Sequence, residues 1–172
     1  MENKDREFYT FRGYQMLKQN KKLLTPSMED YLEMIYRNFQ NEGYVRIQQL
    51  AEQLNVQAPS ATRNVQKLAK AGLVDYEKYG IIKLTQKGVE IGRFLLERHM
   101  LIESFLKKLG VTDTLLRDTE MIEHQISMDT LEKIRLFNQF LEDNRDVIKR
   151  FEEYTNNRTK YTDITYNTTN NQ

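Results

Sequence analysis

The chain has 172 residues, 39% of them hydrophobic, a formal net charge of +1 and no cysteine. It is long enough to bury a core as one domain or two small ones; without cysteine it has no disulfide, no thiolate nucleophile and no cysteine-held zinc or iron–sulfur site, so a bound metal takes oxygen or nitrogen. No run of about 18 apolar residues is present to span a bilayer and the start MENKDREFYT has no apolar signal core, so the expectation is a cytoplasmic protein with no membrane partner.

Residues 1–24 are rich in bases and carry Phe8, Tyr9, Phe11 and Tyr14, which predicts a helical arm that packs on something. Thr25 followed by Pro26 is a helix start, a cap and then proline at the first helical position. Tyr31, Leu32, Ile35, Tyr36 and Phe39 continue at helical spacing to a stop near Gly43. In the stretch beginning YVRIQQLAEQLNVQAPSATRNVQKLAKAGL, Ile47, Leu50, Ala51 and Leu54 form one short helix face. NVQA makes a tight turn, and Ala61, Val65 and Leu68 form the inner face of a second helix ending at Gly72. This is a helix-turn-helix pattern. The β-prone runs LVDY and IIKLT then flank the turn-forming EKYG, which predicts a hairpin wing.

A long helix follows over Gln86–Leu109, with Leu95, His99, Ile102, Phe105, Leu106 and Leu109 near one side, and Val111–Phe151 supplies two or three more helices. The Asn/Thr-rich stretch that ends the sequence shows no sustained period and is expected to be disordered. The predicted fold is mainly α: an N-terminal winged helix-turn-helix with a small β-hairpin wing, then an all-helical dimerisation domain. The expected divisions are an arm over 1–24, a DNA-binding domain over 25–90, a helical metal-binding and dimerisation domain over 91–154, and a polar tail over 155–172.

Charge is unevenly distributed. From Gln53 to Val74 the cations Arg63, Lys67 and Lys70 meet no acid, whereas acids outnumber bases from 113 to 153. Away from its apolar face the second helix of the motif offers Ser60, Arg63, Asn64 and Lys67, with Gln57 and Thr62 near its start. Hydroxyl, amide and cationic groups of this kind bond phosphates or base edges, and a helix fits the major groove of double-stranded DNA. Lys78 and Tyr79 at the wing tip are placed to reach the neighbouring backbone. The competing reading is a winged helix used for protein contacts.

Residues 119–127 read TEMIEHQIS. A helix turns about 100° per residue, so Glu120, Glu123 and His124 project to one side. Alone, that pattern fits a solvated acidic face. His99 on the apolar side of the preceding helix and the acidic pair Asp30 and Glu33 extend it. Together the six side chains offer four carboxylates and two imidazoles, a set suited to one or two divalent ions of the Mn(II) or Fe(II) kind.

The stretch TPSMEDYLEMIY, the helix-turn-helix with its wing, ERHMLIESFL and EMIEH resemble the diphtheria-toxin-repressor family of metal-dependent transcriptional repressors, over roughly residues 25 to 145. The likeness is to its manganese-responsive branch. The resemblance implies metal ligands at Asp30, Glu33, His99, Glu120, Glu123 and His124. It also implies an operator-binding homodimer that controls metal-uptake genes. The iron-responsive branch has sulfur-containing residues at the positions of Asp30 and Glu120, and hard carboxylates there favour manganese, although Zn(II) or Co(II) still binds in a test tube. Glu103 matches an ancillary ligand position of the iron branch and is read as a supporting group. The sequence stops without the C-terminal SH3-like domain of the iron-responsive members, and its arm is longer than the start associated with the manganese branch.

Three rivals remain: an iron-responsive repressor, a winged-helix regulator of a small organic effector, and a di-metal carboxylate enzyme. The effector regulator has no need of six ligands. The enzyme lacks a second Glu-x-x-His pair and an HExxH pattern. The expectation is therefore a non-enzyme with no organic cofactor.

Overall fold

The computed structural model describes residues 24–169; the side chains of Lys78 and of 158–169 lie outside that description, as does the aromatic arm up to residue 23. The chain forms two compact units that part between Met100 and Leu101.

The first unit begins with helix α1, Pro26–Glu42. The Thr25 side chain accepts the Met28 N–H at 3.3 Å, and Gly43 closes the helix with φ 76° and its own N–H on the Phe39 carbonyl, a left-handed stop that glycine adopts without strain. Met28, Tyr31, Leu32, Ile35 and Tyr36 are buried along one stripe. Strand β1, Val45–Arg46, leads into α2, Ile47–Gln53, and then into α3, Ala58–Lys70. Asn55 carries the turn between them at φ 52°, a conformation asparagine tolerates better than most residues. Leu50, Ala61, Val65 and Leu68 are sealed from solvent, as their spacing predicts.

The wing is a three-stranded antiparallel sheet of order β1-β3-β2, with β2 at Val74–Tyr76 and β3 at Ile81–Leu84. Val74 pairs with Leu84 and Tyr76 with Ile82, while Val45 pairs with Ile82 from the other edge. Strand β1 is absent from the sequence reading, because two residues carry no period and the strand exists only through its partner. At the tip a single tight turn, Lys78–Gly80, holds Tyr79 at φ 63° with its side chain 90% exposed.

Helix α4, Gln86–Lys108, starts in the first unit. A Cβ at Gly92 would lie 2.7 Å from the Tyr36 Cβ, and one at Gly88 would collide with the Leu73 carbonyl oxygen. Two glycines one turn apart thus let the helix backbone press onto α1 and the start of the wing. The division between the two units, Met100/Leu101, falls within this helix.

The second unit holds the rest of α4, then α5 (Leu115–Glu123), α6 (Met128–Asp143) and α7 (Arg145–Thr169). Ser127 caps α6 by accepting the Thr130 N–H. Asn138, buried, donates to the Leu101 carbonyl at 2.9 Å and lies 3.4 Å from the Lys108 ammonium, which also meets Glu142 at 2.9 Å. Phe105 and Phe137 pack edge to face at 6.1 Å. Leu136, Phe137 and Phe140 on α6 and Leu116 and Met121 on α5 remain exposed. The backbone of 155–169 continues α7 as helix, where the sequence reading expects a disordered tail. Extending an existing helix adds one hydrogen bond per residue fixed and needs no new nucleus.

Candidate metal centre and DNA-reading surface

Within the first unit, Asp30 and Glu33 stand three residues apart on α1, Asp30 half-buried and Glu33 buried. His99 comes from α4 and is 8% exposed. Its Nδ1 lies 3.9 Å from Glu33 Oε1. Arg37, one turn after Glu33, donates to the same Oε1 from Nε at 3.0 Å and from Nη2 at 2.7 Å. Next to both candidate ligands runs a contact absent from the sequence reading: Arg98 Nη2 donates to Glu29 Oε2 at 2.9 Å. Those two residues are 69 apart in sequence, and no local pattern announces the pair.

In the second unit, Glu123 closes α5 and His124 caps it. Glu123 is 3% exposed, and its Oε1 lies 3.8 Å from His124 Nε2. Glu120, one turn earlier, is exposed. Beside them on the same helix Thr119 is fully buried, and its hydroxyl donates to the Leu115 carbonyl one turn back at 2.8 Å. Glu103 on α4 is held by Lys107 at 2.9 Å and is a third exposed.

Each unit therefore pairs a buried carboxylate with an imidazole at less than 4 Å. Donor atoms of a hard divalent ion at about 2.0–2.6 Å from the metal are themselves separated by about 3–5 Å, depending on the angle between them. The donors are all oxygen and nitrogen, so the residues present fit a hard or borderline dication.

On α3 the exposed face carries Gln57, Ser60, Arg63 and Lys67, while Thr62 and Asn64 are half-buried. Thr62 donates to the Ala58 carbonyl at 2.9 Å and Asn64 to that of Ser60 at 3.4 Å. Neither Arg63 nor Lys67 makes an ion pair among the described residues. The helix thus presents cations with no ion-pair partner among the described residues. Of the two wing-tip residues, Tyr79 stands out into solvent; the Lys78 side chain lies outside the described ones.

Two family models together span this architecture: iron dependent repressor, N-terminal DNA binding domain, over residues 23–82, and iron dependent repressor, metal binding and dimerisation domain, over 85–152. The chain belongs to the iron-dependent repressor family. The HTH-type transcriptional regulator MntR of Lysinibacillus sphaericus is 43% identical over 129 residues, which are 74% of this chain and 93% of that protein. MntR of Shouchella clausii is 45% identical over 130 residues, 75% of this chain and 91% of its own. Among solved structures, the manganese regulator SloR matches 68% of the chain at 34% identity with a TM-score of 0.60. A manganese-dependent transcriptional repressor in complex with manganese matches 66% at 32% identity with a TM-score of 0.59. The chain spans about half of each of those solved chains, 55% and 53%. Membership of the iron-dependent repressor family makes it a DNA-binding transcriptional regulator that uses a divalent metal, and not an enzyme. Among the described residues no helix is long and apolar enough to cross a membrane.

Proposed function

We propose that the chain is a manganese-responsive repressor in which Asp30, Glu33, His99, Glu120, Glu123 and His124 hold one or two Mn(II) ions. As a cytoplasmic homodimer it would read a pseudo-palindromic operator ahead of metal-uptake genes. The observation that carries this reading is the division of the donors, with Asp30, Glu33 and His99 in one compact unit and Glu120, Glu123 and His124 in the other. All are oxygen or nitrogen donors, and the carboxylates at positions 30 and 120 favour manganese over later, softer metals. The likeness to proteins named as manganese regulators supports the same metal.

Four carboxylates drawn toward one centre repel one another in a partly desolvated setting. A bound Mn(II) ion would supply the positive charge that offsets this repulsion. Glu33 and Glu123, each buried beside an imidazole, give the two halves their least mobile donors. Fixing one unit against the other in both protomers fixes the separation of the two α3 helices. A symmetric dimer reads half-sites a set number of helical turns apart, so a fixed separation raises operator affinity. The coupling is on the order of 1–3 kcal/mol, and linkage requires operator DNA to tighten metal binding by the same factor. The exposed apolar residues of α5 and α6 supply the dimer seam.

The test is selection of bound duplexes from a randomised pool with Mn(II), with Fe(II) and with chelator. Enrichment of a palindromic site with Mn(II) alone supports the reading. Equal enrichment in all three removes the metal switch and leaves a constitutive winged-helix protein.

A further inference from the structure

Arg37 and His99 approach the same atom. Both Nε and Nη2 of Arg37 donate to Glu33 Oε1, at 3.0 and 2.7 Å, and this is the oxygen 3.9 Å from His99 Nδ1. The Glu33 and His99 side chains are 10% and 11% exposed, whereas Arg37 keeps 40% of its side chain in solvent. The carboxylate oxygen best placed to share an ion with His99 is therefore the one that the guanidinium grips.

We infer that Arg37 is a tethered competitor for the metal, an affinity-setting residue that raises the concentration of Mn(II) needed to occupy the site. The inference rests on the reading of Glu33 and His99 as ligands. A dication bound at about 2.0–2.6 Å from Oε1 and a guanidinium at 2.7 Å from the same oxygen would stand only a few ångströms apart. Like charges at that separation repel strongly where water is scarce. Occupancy by one then requires departure of the other. Arg37 is the mobile party: half-exposed and one helical turn from its partner, it can swing into water, and such i,i+4 pairs are weak. Glu33, buried, stays. Arginine remains charged at every physiological pH, so the competition is constant and changes only with the metal concentration.

The test is direct titration of the full chain with Mn(II), following the free ion by electron paramagnetic resonance, for the wild type, Arg37→Met, Glu33→Ala and Arg150→Met. Arg150→Met removes the same charge from the exposed pair that Arg150 makes with Asp146 at 3.2 Å. The expected result is about 3- to 10-fold tighter Mn(II) binding in Arg37→Met, the range set by a weak pair plus the repulsion relieved. Arg150→Met should stay within about twofold of wild type, since exposed pairs of this kind contribute little. Operator binding of Arg37→Met should begin at correspondingly lower Mn(II) and reach the wild-type plateau. Equal or weaker Mn(II) binding in Arg37→Met overturns the inference, because it would make the arginine a support for Glu33. If Glu33→Ala binds Mn(II) as well as wild type does, the ligand reading fails and the inference with it; loss in Glu33→Ala without gain in Arg37→Met sinks the competitor role alone.

Discussion

Glu29 and Arg98 meet at 2.9 Å with 11% and 5% of their side chains exposed, and each sits immediately beside a candidate ligand, Asp30 and His99. The pair ties α1 to α4 inside the first unit at the point where both helices present those ligands. Burying two charges is favourable only while both stay, since removing one leaves the other desolvated and unpaired. Glu29→Ala or Arg98→Ala should each lower stability by about 3–5 kcal/mol, measured by urea denaturation of the metal-free protein. The double replacement Glu29→Met with Arg98→Met should recover most of the loss, as hydrophobic substitutes for buried pairs often do. A single variant as stable as wild type would show that water reaches the pair.

The close approach of α4 depends on Gly88 and Gly92, and the two differ in what blocks a side chain. At Gly92 the obstacle is the Cβ of Tyr36, 2.7 Å away, so Gly92→Ala should lose about 1–3 kcal/mol as α1 shifts slightly. At Gly88 it is the Leu73 carbonyl, which accepts the Thr85 N–H at 3.1 Å. Backbone held in that way cannot yield cheaply, so Gly88→Ala should lower the thermal midpoint more than Gly92→Ala does. The reverse order would place the tight contact elsewhere.

Tyr79 adopts φ 63° at the wing tip, a conformation that costs a non-glycine residue about 1–2 kcal/mol, while burying almost none of its ring. Tyr79→Gly should therefore raise stability by up to about 1 kcal/mol and weaken operator binding. Stability gained with full operator affinity would remove Tyr79 from the DNA contact set.

What the sequence made legible was local. Thr25-Pro26 and Gly43 bracket α1 through capping chemistry that needs no tertiary context, and Ala61, Val65 and Leu68 mark the inner face of α3 by period alone. Strand β1 and the Glu29–Arg98 pair escaped because each depends on a partner far along the chain. The Glu33–Arg37 contact follows the i,i+4 rule and is local in the same sense. The last part of α7 resisted for another reason: a polar helix leaves no apolar stripe to read. The ligand set itself drew its force from family resemblance, since acidic and histidine residues on helices are common without a metal.

Lys67 and Arg63 separate positioning from reading on α3. Both face solvent with no ion pair among the described residues. If Lys67 bonds a phosphate, Lys67→Ala should weaken binding about equally on all duplexes and reduce the slope of log affinity against log salt by about one. If Arg63 reads a base edge, Arg63→Ala should cost about 1–3 kcal/mol on the operator and relax preference at a single position. Both are measured by fluorescence anisotropy across a salt series in saturating Mn(II). Identical effects from the two would mean that neither reads sequence.

Glu123 and His124 test the metal reading at its most buried point. Glu123 is 3% exposed and His124 caps α5, so both sit at the end of the helix, where truncation to alanine leaves its main-chain hydrogen bonds in place. Glu123→Ala and His124→Ala should therefore keep the circular dichroism spectrum and the sedimentation coefficient of the dimer. Operator binding in Mn(II) should fall at least about tenfold, the lower end of what the loss of even an outer-sphere partner does to a metal site, and in chelator it should match that of wild type. Linkage adds a second reading, because operator DNA should no longer tighten Mn(II) binding in either variant. Normal metal dependence in both would transfer the switch to other residues, whereas loss of the dimer would make Glu123 a structural acid of the seam.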